Sequence, residues 1–537
     1  DGLSDAKSAG TNFANSLLLG HETTGTLSSA SNNVGVGIGA MDAITSGTDS
    51  VFVGFNAGSS FTSGNESVGI GSQALLTATT AEDNIAIGCK ALKSATTGGQ
   101  NMAMGLLAGE DITTGYQNIL FGYLCGMNIT TGINNIAIGG NALDVCTTAS
   151  ENLAIGRDSL GLSTSGTNNV AVGNYTGDAI TTGHSNTMLG IYAGSAITEG
   201  DYNVAIGRNA LDACTTAENN VAVGWTSLGS CTTGASNTGV GGDVLAACTT
   251  GTLNSAFGTG SSDAITTAER NSAFGIQSLG ATTSGGYNSS FGERALAANT
   301  TATQNSAFGS EAFGSSTTAT AGVAIGFQAG QEVTTGSYNV IIGHDAGNGI
   351  TTGPSNVLIG ASVADGGTTI EKCVMIGRLA TQSATNSDSQ IVIGYGATGK
   401  GDSTGFISPS GGAVYQGNNA TAWAQTSDRR IKKNIVDNNV GLDVINQIRV
   451  RNFEYRTLDE IVDFDNPKSA VVEQEGIQLG AIAQELEEFL PEVVETTSEG
   501  VKSVTADRIT WHLVNAIQEL TTQVETLKSQ VETLKGE

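Results

Sequence analysis

The chain has 537 residues, including 75 glycines but only 4 prolines and 7 cysteines, and its formal net charge is −28. So acidic a surface repels nucleic acid and anionic lipid, and no apolar run is long enough to span a bilayer. The composition therefore predicts neither nucleic-acid binding nor membrane insertion.

A glycine recurs every 17 residues from Gly20 to Gly394 without insertion or deletion, and we call these 23 positions anchor glycines. An unbroken period predicts a solenoid with one coil per repeat, about 110 Å long at ~4.8 Å per coil. The string "NIAIG" (84–88) alternates as a β-strand does, with Ile85 and Ile87 on one face and Ala86 on the other. We expect "DITTG" (111–115) to form a second short strand. The prediction is a mainly β fold, a flattened parallel β-roll over residues 16–400.

Small residues recur at the strand position of Ala86, as at Ala137, Ala154 and Ala205. We expect this face to let neighbouring chains approach closely, which favours an oligomer. The strings also resemble the N-S-V-A-I-G-like head repeats of trimeric adhesins. That resemblance implies a parallel β-roll wound by three chains.

Equivalent positions in successive repeats form columns along the solenoid. Threonine stands eight residues after the anchor glycine in 21 consecutive repeats, from Thr45 to Thr385. We expect its hydroxyls to bond between coils; an ice-binding face is the alternative. Cys214, Cys231 and Cys248 share a column with isoleucines, which indicates core packing rather than disulfides.

Large and varied residues follow the anchor glycines, which predicts a solvent-facing column. Trp225 lies in that column and could contact glycan or be an isolated surface aromatic. His21, His184 and His344 have no evident partners in the sequence. No CxxC pair is present, so we predict no metal site and no cofactor. One column repeats aspartate, which indicates a solvated face rather than the paired carboxylates of a glycosidase: Asp42, Asp144, Asp178, Asp212 and Asp263.

Charge density changes near residue 400. Residues 1–400 hold 10 basic and 28 acidic residues, whereas 401–537 hold 12 and 22. We divide the chain into an N-terminal remnant or linker (1–15), the roll (16–400), a linker or tip (401–426) and a small α+β domain (427–537). Within that domain we predict a short helix in 439–448, a strand in 449–456, and a strand end, helix and proline stop in 480–494.

The last helix is predicted from about Ala506 to Lys535. Its apolar residues alternate gaps of 4 and 3, as in the seam of a coiled coil of two or three strands. The seam consists of Leu513, Ile517, Leu520, Val524, Leu527, Val531 and Leu534.

Four strings of the C-terminal part resemble the intramolecular chaperone domain of endosialidase-type phage tailspikes and tail fibres. They are SDRRIKKNI (427–435), GAIAQEL (480–486), LPEVV (490–494) and AIQEL (516–520). The resemblance covers about 427–537 and departs at Ala506, where relatives often have tyrosine. It implies a domain that trimerises, guides an upstream β-structure into register and then cuts itself off.

The resemblance also implies the chemistry of the cut. Ser427 and Lys432 match a Ser–Lys dyad, in which a desolvated neutral lysine serves as base for the hydroxyl nucleophile. The cleaved bond would be Thr426–Ser427. Asp428, Arg430 and Asn434 complete the motif.

The sequence therefore favours a homotrimeric phage tail fibre or receptor-binding shaft with a self-cleaving chaperone domain. Its expected partners are its own copies, virion tail or baseplate proteins and a host-surface receptor, possibly a glycan. Its expected location is the virion tail, after assembly in the host cytoplasm. A glycan depolymerase tailspike and a cellular trimeric adhesin are the alternatives.

Overall fold

One three-residue strand forms in each 17-residue repeat, and successive strands pair in parallel. Ile136, Ala137 and Ile138 pair with Leu153, Ala154 and Ile155, a shift of one repeat. The register stays at 17 residues from the strand at Val34–Val36 to the strand at Ile391–Ile393. The next pairing, Ile391 with Gly405, shortens the coil to 14 residues. The predicted parallel solenoid is confirmed.

The structure is a computed structural model that describes residues 6–20, 26–408, 414–416, 424–425, 429, 432–457, 460, 475–496 and 501–536. The chain divides into two units, Asp1–Thr426 and Ser427–Glu537. The described strands of the first unit are β1 (Ala6–Gly10), β2 (Phe13–Leu19), β3 (Ala30–Ser31), β4 (Val34–Val36), β5 (Val51–Val53), β6 (Val68–Ile70), β7 (Ile85–Ile87), β8 (Met102–Met104), β9 (Ile119–Phe121), β10 (Ile136–Ile138), β11 (Leu153–Ile155), β12 (Val170–Val172), β13 (Thr187–Leu189), β14 (Val204–Ile206), β15 (Val221–Val223), β16 (Thr238–Val240), β17 (Ser255–Phe257), β18 (Ser272–Phe274), β19 (Ser289–Phe291), β20 (Ser306–Phe308), β21 (Val323–Ile325), β22 (Val340–Ile342), β23 (Val357–Ile359), β24 (Val374–Ile376), β25 (Ile391–Ile393), β26 (Gly405–Ile407), β27 (Val414–Gln416) and β28 (Ala424–Gln425).

The expected second strand in each coil is wrong, because residues 111–115 form bends and turns. The threonine column still links the coils there. The backbone N–H of Thr113 donates to the carbonyl oxygen of Thr130 at 2.9 Å, and its Oγ1 donates to the same oxygen at 3.1 Å. The same hydroxyl bond recurs in 19 successive pairs, from Thr45 to Thr351. The threonine ladder therefore has the structural role predicted for it.

The anchor glycines lie where consecutive coils approach most closely. Gly139 has φ 140°, a region that side-chain-bearing residues rarely adopt. A Cβ added to Gly139 would lie 2.4 Å from the carbonyl oxygen of Gly156 in the next coil. Backbone conformation and contact distance both require glycine, which explains why the period never slips.

The small residues of the strands face the coil interior, so the expectation that they form the face between chains is wrong. Ala86 and Ala137 are fully buried within their own coils. Ile85 and Ile87 point outward and are half-buried. The coil is too narrow to enclose two large side chains at one level, so alanine goes inside and the β-branched residues go outside.

Two columns share the interior volume of each coil. Leu120 lies at the inner strand position, and a Cβ at either Gly109 or Gly126 would come within 2.8 Å of its methyl groups. In several coils whose inner strand residue is alanine, as at Ala137, the turn residue six positions later is leucine, as at Leu143. Leu120 therefore requires glycine at both of these turn positions, as close packing demands.

Buried asparagines clamp consecutive coils from Asn84 to Asn305, in 14 repeats without interruption. Asn135 Nδ2 donates to Asn118 Oδ1 at 3.0 Å and to the carbonyl oxygen of Ala149 at 2.9 Å. Its own Oδ1 accepts from the backbone N–H of Asn152 at 3.1 Å. The side chain of Asn135 thus forms hydrogen bonds with a backbone carbonyl and a backbone N–H that do not take part in strand pairing.

Replacing Asn135 with alanine should destabilise the solenoid by about 3 kcal/mol, because the buried Ala149 carbonyl loses its amide donor and the Asn152 N–H loses its acceptor. Thr131→Ala is the matched control, since that side chain is exposed in the same repeat; its effect should stay within about 0.5 kcal/mol. The denaturant midpoint of the assembled protein measures both. Equal midpoints would contradict the clamp.

Antiparallel strands close both ends of the described stack. At the start, β1 pairs antiparallel with β2, and β2 pairs in parallel with β3 and β4. Part of the segment 1–15 is therefore strand. At the other end β26 pairs with β27 and β27 with β28, both antiparallel. The parallel stack thus continues into a meander within residues 401–426.

The second unit is a small α+β domain, as predicted. Arg451–Phe453 (β29) pairs antiparallel with Gln478–Gly480 (β30), and Val494–Thr496 (β31) with Lys502–Val504 (β32). The helices are α1 (Leu442–Ile445), α2 (Ala483–Glu487) and α3 (Ala506–Gly536), with a 3₁₀ turn at Pro491–Val493. The boundaries of α3 agree with the predicted helix to within one residue.

Candidate functional site

The basic segment 427–435 is only partly described. Thr426, Ser427, Asp428 and Arg430 lie outside the described residues. Lys432 is exposed, and its backbone N–H donates to the carbonyl oxygen of Arg429 at 3.3 Å. Asn434 is exposed, with a left-handed φ of 54°. The Ser427–Lys432 pair therefore stays a prediction.

Residues 438–442, which we call the strap, follow this segment and bind to the first half of α3. Asn515 Nδ2 donates to the carbonyl oxygens of Asn438, at 2.7 Å, and Val440, at 3.2 Å. The backbone N–H of Leu442 donates to Glu519 Oε2 at 2.9 Å. The helix thereby fixes the chain six residues after Lys432.

His512 joins the strap, α3 and the 3₁₀ turn. It is 5% exposed, with Nδ1 3.2 Å from the carbonyl oxygen of Val440 and Nε2 3.4 Å from Glu492 Oε1. Because a carbonyl only accepts, Nδ1 carries the proton in this contact. An open cleft of about 840 Å³ lies beside these residues and is lined by Asp437, Gly441 and Trp511 among others.

An apolar cluster lies beneath the strap. Leu486, Leu490 and Val493 are buried, and Val440 of the strap and Ile509 of α3 pack against them. The strap is therefore held by apolar contacts as well as hydrogen bonds.

One ion pair joins β29 to α2. Arg451 Nη2 lies 2.7 Å from Glu485 Oε1, and its Nε donates to Oε2 at 3.3 Å. The guanidinium lowers the pKa of Glu485. Because the folded-state pKa is lowered, the ion pair contributes its full stabilisation at pH values above the ordinary pKa of glutamate. This stabilisation is lost as the pH falls through the lowered pKa of Glu485.

The apolar seam of α3 lies on the surface of this single chain. All seven seam residues are between 40% and 72% exposed, whereas the helix residues buried against the rest of the domain are His512 and Ala516. Apolar residues spaced alternately by 3 and 4 along an exposed helix are the pattern of a coiled-coil contact. The second half of α3 has no apolar partner among the described residues of its own chain.

Sequence reasoning missed the strap, although a signal for its helix side was present. His512, Asn515 and Glu519 are spaced by 3 and 4 residues, so they share one helical face away from the apolar seam. Their partners lie 72 to 77 residues earlier in the chain, a separation that helix periodicity does not specify.

The described part of the solenoid contains no group of three His, Cys, Asp or Glu residues that could hold a metal ion. Cys214, Cys231 and Cys248 are free and fully buried, which confirms core packing. Burial raises the pKa of Cys214 to about 12, so its thiol stays protonated. Trp225 is exposed, as predicted for its column.

The interpretation of two sets of polar residues needs refinement. Asp42 and Asp263 of the aspartate column are exposed, as expected, whereas Asp144 is half-buried; burial, and after it the charge of Asp158, raises the pKa of Asp144. His184 and His344 do have partners: Asp201 accepts from the backbone N–H of His184, and His344 Nδ1 lies 2.8 Å from Asp345 Oδ2. His21 lies outside the described residues. These contacts are local pairs within the solenoid surface.

Residues 427–495 match the family model described as chaperone of endosialidase. This match begins at the first residue of the second unit. The chain is therefore a long parallel β-solenoid followed by a domain that matches the chaperone-of-endosialidase family. No curated protein matches the chain. Among the described helices, none is long and apolar enough to cross a membrane.

Proposed function

We propose that this chain forms a homotrimeric phage tail fibre or receptor-binding shaft, whose C-terminal domain aligns three chains and then cuts itself off. The observation that carries the proposal is the exposed apolar seam of α3. Alternating β-branched residues and leucine also suits a two-stranded coil. The choice of three strands comes from the chaperone-of-endosialidase match and its association with trimers.

The solenoid explains why such a shaft needs a chaperone. Its coils are nearly identical, so a neighbouring chain shifted by one whole repeat would form nearly the same contacts. Register is weakly specified wherever a shift preserves the pattern. A separate trimerising domain at one end of each chain aligns the three chains in register before their coils associate.

The proposed cut follows from the position of the basic segment. The boundary between the two units, the start of the family match and the Thr426–Ser427 bond coincide. Ser427 Oγ attacks the carbonyl carbon of Thr426, and the neutral Lys432 amine accepts the hydroxyl proton. The peptide C–N bond breaks as the nitrogen gains a proton, and water then hydrolyses the resulting ester. The products are a Thr426 carboxylate and a free Ser427 amine.

The strap connects this chemistry to assembly. Lys432 is exposed in the single chain, whereas a lysine base works best when it is desolvated. Asn515 and Glu519 hold the strap on the helix that bears the seam. Packing three such helices together would bring three basic segments near one axis and remove water from them, so cleavage would follow trimerisation.

The proposed partners are virion tail or baseplate proteins and a host-surface receptor, possibly a glycan, with the virion tail as location. A depolymerase or cellular adhesin role remains the alternative reading of the same shaft.

Leu527→Asp in α3 should abolish trimers and leave the shaft chains aggregated, because a charge in the centre of the seam cannot be desolvated. Ser529→Asp is the matched control, since it adds the same charge two residues away, outside the seam. Light scattering of the expressed proteins gives their masses. Normal trimers from Leu527→Asp would contradict the proposed role of α3.

A further inference from the structure

The strands have an outer face that this single chain leaves half-exposed. It consists of the side chains one and three residues before each anchor glycine, such as Ile138 and Ile136, and we call it the outer strand face. The residue just before the anchor is apolar in every coil from Val36 to Ile393, and neither column contains a charged residue. Monomeric proteins rarely leave so long an apolar stripe uncovered.

The area of this face is that of a stable interface. Strands β4 to β25 give 22 coils with two such side chains each. If each of these side chains is about half-exposed, the outer strand face exposes on the order of 2,000 Å² of surface per chain. That area exceeds the ~800 Å² per partner that a standard interface buries. The face is therefore large enough to hold chains together along the whole solenoid.

The two columns also compensate each other in volume. From β17 to β20 the first column changes to serine and the second to phenylalanine, whose rings stack with centroids 4.6 to 4.8 Å apart. Before and after this segment the pairs are mostly two aliphatic residues, as at Val323 and Ile325. Inside the coil, where packing is visible, the alanine–leucine and leucine–glycine pairs show the same exchange. A solvent-exposed face has no reason to conserve volume.

We propose that the outer strand face is the surface through which copies of this chain pack, in register, with each coil against its equivalent. This inference rests on the proposed homotrimer and names its contact surface. A second copy fits for two reasons. An uncharged face avoids the repulsion between chains of net charge −28. A symmetry axis parallel to the solenoid also places the serine–phenylalanine segment of one chain beside that of the next, as no partner of different period could.

Cysteine labelling of the assembled protein tests the surface directly. Cys89 is exposed in the column after the anchor glycine, while six other cysteines are buried. Ile138→Cys adds a thiol to the outer strand face at a position that is 38% exposed in the single chain. In the assembled trimer of this variant we expect maleimide to label one cysteine per chain, Cys89. After denaturation we expect it to label Cys89, the cysteine introduced by Ile138→Cys and the six buried cysteines.

Labelling at both positions in a particle with trimer mass would overturn the proposed surface and leave the trimer intact. A monomeric mass would overturn the trimer and the surface together. Intact mass and light scattering on one sample separate these outcomes.

A pair of compensating substitutions provides the second test. Phe274→Ile and Ser272→Val should each lower the thermal midpoint of the trimer, one by leaving a cavity and the other by overpacking. The double variant recreates the aliphatic pairs found elsewhere and should recover most of the loss. Additive losses, or no loss in either single variant, would contradict a packed face.

Discussion

Deleting residues 427–537 before synthesis is expected to leave most of the shaft aggregated or misaligned. The chain that remains keeps all its coils and their asparagine and threonine ladders. It loses the seam from Leu513 to Leu534, the element proposed to align the three chains in register before their nearly identical coils associate. Size-exclusion chromatography and sedimentation of the truncated protein measure the outcome.

The matched control removes the same residues after assembly. Full-length protein that has folded and then been cut at the domain boundary should keep soluble trimers of unchanged thermal midpoint. The difference between the two preparations isolates a role in assembly from a role in stability. Soluble trimers of normal midpoint from the truncated gene would refute the chaperone role.

Ser427→Ala is expected to block cleavage at Thr426–Ser427 while trimers still form. Loss of the nucleophile should slow the reaction by at least ~10³-fold. Lys432→Ala should slow it by about 10²–10⁴-fold through loss of the base. Lys433→Ala is the matched control, since it removes the same charge at a position outside the proposed dyad. Gels and intact-mass measurements over time follow all three variants.

The kinetics add a further criterion. Cleavage within one chain is independent of protein concentration once trimers have formed. Its rate should fall as the pH falls, because a protonated lysine amine cannot accept the serine proton. Undiminished cleavage in Ser427→Ala would remove the proposed chemistry from the basic segment.

The sequence defines the solenoid closely because its constraints are local and repeated. The anchor glycine, the alternation in strands such as Ile136–Ile138 and the helical period of α3 each act within a few residues. Alternation identifies two strand faces but not which one points inward. The signal that decides it is the exchange of leucine and glycine between Leu120 and its neighbours Gly109 and Gly126, which only a shared interior explains.

Two other features, the conformation of residues 111–115 and the strap, depend on side-chain hydrogen bonds that compete with strand formation or on contacts between residues far apart in the sequence. The expected second strand fails because threonine hydroxyls such as that of Thr113 bond to backbone carbonyls across a bend. The strap depends on contacts between Asn438 and Asn515, for which the chain between them gives no local pattern. The helical face carrying Asn515 could be identified from spacing, but its partner could not.

The mass of the mature assembled protein is the most direct test of trimerisation and self-cleavage. Native mass spectrometry of the purified product, with denaturing mass spectrometry of its chains, gives both the number of chains and the position of the cut. We predict three chains, each ending at Thr426. One or two chains in the assembly, or chains that still carry residues 427–537, would contradict it.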